Sequence, residues 1–351
     1  MEPEPLLALS PDALATVLGG PGRAQAVLSV LRRGGDPLTD PSLAPGARAR
    51  LAARTSATAL PIEQQTVAPD GTVKRLLRLA DGRAVEVVAI PTPDRTTLCV
   101  SSQVGCARGC TFCLTATMGL VRSLRAEEIV AQVVHGLALV RERALPPLRN
   151  VVFMGMGEPL DNVDAVRAAL ALITGSSGLG IGRRHVTVST VGPSPEKLRA
   201  LTDLPARVAW SLHAAVPETR ARLVPTARAT PEALRDVLAE VLAPRREPLF
   251  VELTLVDGVN DDVAHAEAVV ALFRGFPTQV RLNLLPVNET ERGHRPCTPE
   301  ALEAFRAVLL GAGYFTTVRR ARGADQRSAC GQLAIDGLGR RAALSPSEPA
   351  E

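Results

Sequence analysis

Aromatic residues are scarce in this sequence of 351 residues: they make up 3% of it, with one Trp and one Tyr. This scarcity argues against a sheet that stacks nucleic-acid bases on several aromatic rings, so arginines and a pocket would have to bind any RNA. Long apolar runs are also missing, because no stretch reaches the roughly 18 residues that a membrane span needs. The sequence therefore predicts a protein with no membrane-spanning segment.

Lysine is nearly absent, since Lys74 and Lys197 are the only two in the chain. The 40 basic residues are otherwise arginines, and 36 acidic residues leave a net charge of +4. With so much Ala, Gly and Pro, this arginine excess is typical of a GC-rich genome, and +4 alone does not indicate a polyanionic partner. The first five residues are acidic and lack the basic region and apolar core of a signal peptide. We expect a monomeric cytoplasmic enzyme.

The chain divides into four parts by composition. Residues 1–60 are predicted to form a helical accessory domain, 61–97 a linking β-rich segment, 98–341 the core, and 342–351 a flexible tail. In the core, short apolar runs alternate with segments of three- and four-residue apolar spacing over roughly 220 residues. This pattern predicts an α/β fold with a parallel sheet, closed as a full or partial (β/α) barrel whose chemistry lies at the carboxyl ends of the strands.

Three of the six cysteines fall within eight residues, which no disulfide framework explains. Cys106, Cys110 and Cys113 have the spacing C-x3-C-x2-C, which lets three thiolates converge from one loop. Structural zinc takes four ligands, usually in two pairs. Three thiolates on a 4Fe–4S cluster leave one iron open for another ligand. The spacing favours the cluster, and a zinc site with an unidentified fourth ligand is the alternative.

Polar residues end the strands that follow the cysteine loop, where a barrel would bring them together. Glycines there allow close backbone approach, a carboxylate can meet a ligand ammonium, and hydroxyl, imidazole and amide groups can bind a ribose, carboxylate or adenine edge. Taken singly, each has a structural alternative as a helix cap, core residue or turn former. The candidate residues are Gly157, Glu158, Ser189, Ser211, Leu212, His213 and Asn288.

These motifs resemble one family, the radical S-adenosylmethionine (SAM) RNA adenine methyltransferases known as RlmN and Cfr. The resemblance covers roughly residues 84–335 in order, and the stretch before residue 60 matches only weakly. The matching stretches are Leu98–Cys106, Cys110–Cys113, Phe153–Leu160, Ser189–Gly192, Ser211–Ala214, Asp257–Asp261, Asn283–Pro286 and Arg322–Leu333. Cys99 and Cys330 are the residues that best distinguish this family from radical SAM enzymes in general, and Cys297 has no counterpart in the pattern.

The resemblance implies a partial (β/α) TIM-like barrel of the radical-SAM type with a small N-terminal helical accessory domain that docks RNA. It also implies one 4Fe–4S cluster on Cys106, Cys110 and Cys113, and two SAM molecules per turnover. The implied partners are ribosomal or transfer RNA and an electron donor such as flavodoxin or ferredoxin. SAM would bind the open iron and the strand-end residues, among them Glu158.

The resemblance further implies a covalent mechanism. One SAM methylates Cys330, and a radical from a second SAM then activates the S-methyl group, which adds to C2 or C8 of an adenine. Glu86, thirteen residues before Cys99, is expected to remove the ring proton. Cys99 then attacks Cys330, which releases methylated RNA and leaves a disulfide.

Electrostatic guidance of RNA is predicted near Cys330, because arginines are concentrated there. A solvated surface enriched by codon bias explains the same residues equally well. Two other functions stay open: a radical SAM enzyme for a non-RNA substrate, and a zinc-stabilised RNA-binding module. The residues of this segment are Arg319, Arg320, Arg322, Arg327, Arg340 and Arg341, with Asp325 and Asp336.

Overall fold

The computed structural model describes residues 4–56, 60–288 and 293–319. The strands are β1 (Glu4–Pro5), β2 (Thr55–Ser56), β3 (Ile62–Val67), β4 (Val73–Arg78), β5 (Ala84–Thr92), β6 (Arg95–Cys99), β7 (Gln103–Gly105), β8 (Leu120–Ser123), β9 (Leu148–Phe153), β10 (Val186–Thr190), β11 (Arg207–Ser211), β12 (Leu249–Leu255), β13 (Val280–Pro286) and β14 (Phe315–Val318). The helices are α1 (Pro11–Leu18), α2 (Pro21–Arg32), α3 (Pro45–Arg54), α4 (Ala126–Glu142), α5 (Val163–Thr174), α6 (Pro195–Arg199), α7 (Pro217–Leu223), α8 (Pro231–Arg245), α9 (Val263–Leu272) and α10 (Pro299–Gly311).

Ten of the described strands form one sheet, in the order β14-β13-β12-β11-β10-β9-β6-β5-β4-β3. From β6 to β14 every neighbouring pair is parallel, and the chain crosses between these strands through helices. This is the α/β, partial (β/α) barrel of the radical-SAM type that the alternating pattern and the resemblance predict. Parallel strands are buried on both faces, which is why they read as short apolar runs in the sequence.

The segment before the barrel extends the same sheet. Strands β3, β4 and β5 pair antiparallel with one another, and β5 pairs antiparallel with β6. Hairpin connections join them, such as the turn at Asp70–Gly71 between β3 and β4. The β-rich stretch therefore adds an antiparallel flank to the barrel's first strand.

The N-terminal helices pack on the outside of the barrel. Helix α1 begins where the Ser10 hydroxyl accepts a hydrogen bond from Ala13 N–H (3.1 Å), and it ends at Gly19, whose φ of +74° suits glycine. Arg32 of α2 donates to the carbonyls of Ser176 and Gly178 in the loop before β10. Gly34 lies directly against the last turns of α4. The helical piece is thus held at the end of the barrel where the parallel strands begin.

The barrel helices cover the outer face and close one continuous core. Side-chain caps set several of their starts, as at Thr230 of α8, whose hydroxyl accepts from Ala233 N–H (3.3 Å). Trp210 of β11 is fully buried between the sheet and α9, where Phe273 meets it edge to face at 6.0 Å between ring centroids. Among the described residues, no helix is both long and apolar enough to cross a membrane.

Candidate active site

A cavity of about 790 Å³ runs along the inner face of the parallel strands. This volume is within the range of small-molecule sites, and its position at the strand ends is where barrels hold their ligands. One end is lined by the cysteine loop and by residues that follow β9, β10, β11 and β13; the other is lined by residues near the amino ends of β6, β10, β11 and β12. The two ends differ in chemistry.

The cysteine loop lines the carboxyl end of the cavity with all three of its thiols, Cys106, Cys110 and Cys113. Gly105 opens the loop with a φ of +75°, and a side chain there would meet the Gly119 carbonyl oxygen at 1.8 Å. Cys106 N–H donates to that same carbonyl (2.9 Å). Only glycine allows this close contact, so Gly105 fixes the direction in which the loop enters the cavity.

The three thiols suit a group that supplies positive charge. Burial, with a contribution from the neighbouring Cys113, raises the pKa of Cys106 to about 12 and raises that of Cys110 as well. Binding a cluster would therefore require proton release, which the iron charge drives. Among the described residues, no three His, Cys, Asp or Glu side chains are grouped as ligands of one metal ion. A 4Fe–4S cluster takes one thiolate per iron, so three separate soft thiolates on one loop fit it.

Glu158 joins two strand ends beside the cysteine loop. One carboxylate oxygen accepts from Leu160 N–H (3.0 Å) and the other from Val191 N–H (2.9 Å), while its own N–H donates to Gln103 Oε1 (2.9 Å). Burial raises its pKa to about 7, against the lowering effect of these hydrogen bonds. A carboxylate held in this way gains from a neighbouring cation, as a ligand ammonium would provide.

Gly157 allows this arrangement. Its φ is +102°, and a side chain there would lie 2.6 Å from Gln103 Cβ and 2.8 Å from Gln103 N. The sequence singled it out for close backbone approach at a strand end, and in the structure the approaching backbone is that of Gln103.

His213 stands at the end of β11 in a left-handed conformation, with φ of +63°, which is uncommon for any residue but glycine. Burial, and then the charge of Arg220, lowers its pKa to about 3, so the ring is neutral at physiological pH. Nδ1 accepts from Thr254 N–H (3.3 Å), which assigns the ring proton to Nε2. The ring of Phe112 packs against it edge to face at 4.7 Å, which joins the cysteine loop to β11.

The remaining predicted cofactor-binding residues take different positions. Ser189 and Ser211 face each other on β10 and β11 with 3.0 Å between their hydroxyl oxygens, and both line the cavity. Asn288 lines it beyond β13. Leu212 is buried in the core and does not line the cavity, and its backbone N–H donates to the Trp210 and Glu252 carbonyls, so the structure does not bring this predicted residue into the site.

The predicted catalytic residues are only partly described. Cys99 ends β6, is buried, and lines the same cavity as the cluster thiols. Glu86 lies on β5, two residues before Val88 of the cavity wall; it is not part of the wall, and it forms an ion pair with Lys74 at 2.9 Å. Cys330 lies outside the described residues, as do the arginines of that segment except Arg319. None of the five described cysteines forms a disulfide.

Two buried residues at this site escaped the sequence analysis. Glu252 of β12 is registered beside Ser211, lines the cavity, and accepts from Asn283 Nδ2 (2.8 Å). Arg220 is fully buried; its guanidinium donates to the carbonyls of Val191 and Leu212 and lies 5.7 Å from the Trp210 ring centroid. A carboxylate inside the apolar run Leu249–Leu255 could have signalled Glu252. Arg220 lies in an arginine-rich helix, and nothing in the sequence distinguishes it from its neighbours.

Comparison with known proteins agrees with this geometry. The Radical SAM superfamily signature matches residues 100–268. The chain is 40% identical over 356 residues to a protein of Sorangium cellulosum (strain So ce56) named "Dual-specificity RNA methyltransferase RlmN", covering 90% of each chain. It is 40% identical over 350 residues to the protein of that name from Anaeromyxobacter dehalogenans (strain 2CP-C), covering 95% of this chain and 92% of the other.

A solved structure extends the agreement to the fold. The radical SAM methyltransferase from Sphaerobacter thermophilus superposes with a TM-score of 0.85 at 35% identity, over 94% of this chain and 99% of that one. The similarity therefore includes the N-terminal helices, the antiparallel flank and the barrel. This chain belongs to the RlmN-like family of radical SAM RNA methyltransferases.

Proposed function

We propose that this protein methylates an adenine ring carbon, C2 or C8, in ribosomal or transfer RNA, with the methyl group carried on Cys330. The observation that carries the proposal is the position of Cys99. It is buried in the wall of the same cavity as Cys106, Cys110 and Cys113. A radical SAM enzyme with another substrate has no evident use for a fourth thiol there, whereas a resolving cysteine must reach the reaction centre.

In this proposal Cys106, Cys110 and Cys113 hold a 4Fe–4S cluster. When bound with SAM, the cluster supplies the one-electron chemistry that generates a 5′-deoxyadenosyl radical. Glu158 binds the SAM ammonium, because two backbone donors orient its carboxylate and a neighbouring cation lowers its pKa from the raised value of about 7.

Neutral donors serve the rest of SAM. His213 presents its Nε2 proton, and its buried ring stays uncharged, so the cationic sulfonium of SAM meets no like charge there. Ser189 and Ser211 offer paired hydroxyls to the ribose, and the Asn288 amide is placed to bind an adenine edge. All four residues lie within one cavity.

The methyl route uses two cysteines and one carboxylate. The Cys330 thiolate takes a methyl group from one SAM by displacement, releasing S-adenosylhomocysteine. The 5′-deoxyadenosyl radical takes a hydrogen atom from the S-methyl group, and the methylene radical adds to the adenine carbon. Glu86 accepts the ring proton, with Lys74 holding the carboxylate at 2.9 Å, and the adduct radical gives up one electron, which replaces the electron spent on SAM cleavage. The Cys99 thiolate then attacks the Cys330 sulfur; the released carbon takes up a proton to become the methyl group of the RNA, and the disulfide is left for cellular thiols to reduce. The target base must leave its stack to enter the cavity.

The decisive experiment replaces Cys99 and uses Cys297→Ala as the control, since Cys297 is buried and does not line the cavity. We expect reconstituted Cys99→Ala protein to accumulate RNA bound covalently to the chain, while Cys297→Ala turns over like the unaltered protein. Nucleoside mass spectrometry of the released RNA identifies C2 or C8. Free, unmodified RNA from Cys99→Ala, together with full SAM cleavage, would instead indicate a non-RNA substrate.

A further inference from the structure

The amino end of the barrel carries a row of alternating arginine and phenylalanine side chains that the reaction does not use. Phe250 of β12, Arg281 of β13 and Phe315 of β14 are direct partners in the register of three neighbouring strands. Arg207 of β11 precedes Ala209, the partner of Phe250, by two residues and so shares its face. We call these four residues the Arg–Phe row.

Cation–π contacts order the Arg–Phe row. The Arg207 guanidinium lies 5.6 Å from the Phe250 ring centroid, and that of Arg281 lies 5.9 Å from Phe250 and 5.7 Å from Phe315. An arginine stacked on a ring keeps its N–H edge available for an anion. The row starts in the cavity wall at Arg207 and Phe250 and continues outward to Phe315, which is 57% exposed.

Positive charge accumulates around the row without matching carboxylates. Within the described residues, no carboxylate lies within ion-pair distance of Arg184, Arg207 or Arg281. Glu247 is the carboxylate whose charge raises the pKa of Arg207. It is already ion-paired with Arg183 (2.6 Å) and Arg245 (2.7 Å). Burial and the neighbouring Arg281 and Arg184 lower the pKa of Arg207, which shows the like-charge crowding that a bound anion would relieve.

The half-buried His185 lies at the same end of the cavity as Arg184 and Arg207. Its ring lies in the cavity wall with Arg184, and Nδ1 is 3.1 Å from Asn150 Oδ1. The other cavity-lining arginine of this end, Arg95, shares its charge with the exposed Asp94 (2.8 Å). The chain as a whole has seven Phe, and two of them, Phe250 and Phe315, contact the arginines of the Arg–Phe row.

We propose that the Arg–Phe row binds a segment of the RNA substrate, with phosphates on Arg207 and Arg281 and a base stacked on Phe315. This inference rests on the proposed function, because it assigns a second contact to the same substrate. Guanidinium groups recognise phosphates, and exposed aromatic rings beside them stack bases regardless of sequence. The N-terminal helices are anchored at the same end of the barrel, through Arg32 and the loop before β10.

The row lies at the end of the barrel away from the reacting groups. A strand of five to seven residues is about 17–23 Å long, so RNA that places an adenine at the cysteine loop must extend along the barrel to reach the row. The row therefore increases the affinity for RNA and fixes the position of the RNA along the barrel, and it does not contact the reacting groups. Such a row would bind RNA with few aromatic rings, in keeping with the scarcity of aromatic residues in the sequence.

The test compares the double variant Arg207→Gln/Arg281→Gln with Arg167→Gln/Arg306→Gln, which removes the same charge from α5 and α10. Arg167 and Arg306 are ion-paired on outer helices. Binding of bulk transfer RNA and fragmented ribosomal RNA to the full chain is measured over a range of salt. We expect the first variant to bind about tenfold or more weakly, with a log–log salt slope smaller by about 2, and the second to change less than about twofold.

Phe315→Ala tests stacking, with Leu310→Ala of α10 as its control, since both side chains are exposed. We expect Phe315→Ala to weaken RNA binding about tenfold with an unchanged salt slope, and Leu310→Ala to have no effect. Equal losses in a variant and its control would overturn the proposal. So would unchanged RNA binding combined with slower reduction by flavodoxin, which would assign the row to an acidic electron donor.

The outcome is separable from that of the proposed function. SAM cleavage by the reconstituted protein without RNA should be the same in Phe315→Ala and Leu310→Ala, whose side chains do not line the cavity, as in the unaltered protein. If the unaltered protein binds RNA through the row but forms no methylated adenine, the row is supported and the proposed reaction fails. If it methylates RNA and the row variants keep full affinity and salt dependence, the reaction is supported and the row fails.

Discussion

The two ends of the cavity lie on one sheet but differ in the burial and the charge of their side chains. At the carboxyl end, Glu158 and His213 are buried, and backbone N–H groups of Leu160, Val191 and Thr254 donate to their side chains. At the amino end, Arg207 and Arg281 are half-buried, stacked on rings, and distant from carboxylates. Burial at the first end disfavours the charged forms of Glu158 and His213, whereas partial exposure at the second allows the arginines to keep their positive charge.

The largest effect expected at the carboxyl end is the loss of a cluster ligand. Cys110→Ala removes one of three thiolates, so we expect iron content to fall to background and methylation to drop at least about a thousandfold. The matched control is Cys297→Ala, which removes another buried thiol outside the cavity. Iron analysis and absorption spectra after anaerobic reconstitution measure the result. An unchanged iron content in Cys110→Ala would contradict the assignment of a 4Fe–4S cluster to these cysteines. So would an unaltered protein that is colourless and contains zinc.

Many of the site residues at the carboxyl end could be predicted from the sequence because they belong to short motifs. Cys106, Cys110 and Cys113 lie on one loop, and Ser211 and His213 end one strand, so each motif is visible by its spacing, while the barrel pattern and the family resemblance predict that the motifs meet at one cavity. The amino end could not be predicted. Its four row residues lie on four strands, and their alignment depends on register, which the sequence does not show.

The second prediction concerns backbone geometry at the carboxyl end. Gly157→Ala places a methyl group 2.6 Å from Gln103 Cβ at a φ of +102°. Strain and overpacking together should lower the free energy of unfolding by about 3 kcal/mol. Gly258→Ala has the same kind of backbone, with φ of +64°, but open space around it, so about 1 kcal/mol is expected. Denaturant unfolding of metal-free protein measures both, and equal losses would remove the role assigned to the Gln103 contact.

The fold was predictable where local signals agree. Ser10, Pro11 and Gly19 are local capping signals, and they bound α1; β12 begins where the apolar run Leu249–Leu255 begins. Helices α3 and α7 have weak local signals: each is short and rich in arginine, and each has few buried residues to give an apolar period. The antiparallel flank was predicted as a linking β-rich segment, but its pairing with β6 depends on contacts distant in sequence.

The third prediction compares the two histidines of the cavity by acid titration. The folded pKa of His213 is about 3 and its unfolded pKa about 6.5, so the unfolded chain binds the proton first. Stability is therefore complete above pH 6.5 and lost as pH falls toward 3, by roughly 2 kcal/mol at pH 5. We expect His213→Asn, which tolerates the left-handed backbone and keeps an acceptor for Thr254 N–H, to lose correspondingly less on acidification.

The control for this titration is His185→Asn at the amino end. Burial and the charges of Arg149 and Arg207 also lower the pKa of His185, but its ring is only half-buried. Its substitution should change the acid dependence in the same direction and by less. The free energy of unfolding of the metal-free protein is measured between pH 5 and 7.5 for each variant and for the unaltered chain. Contributions from other titrating groups cancel in the difference between the two. An acid dependence unaffected by His213→Asn would mean that this ring is not held neutral.

The smallest effect on folding is expected from the Arg–Phe row, and that smallness sharpens the contrast between the two ends. Phe315 is more than half exposed, and each cation–π contact of a solvent-facing arginine contributes about 0.5–1 kcal/mol. Phe315→Ala and Arg281→Gln should each lower the free energy of unfolding by less than about 1 kcal/mol, and Arg281→Gln should also relieve repulsion with Arg207. Denaturant midpoints measure this. A loss near 3 kcal/mol would make the row part of the core, and its arginines would then be structural.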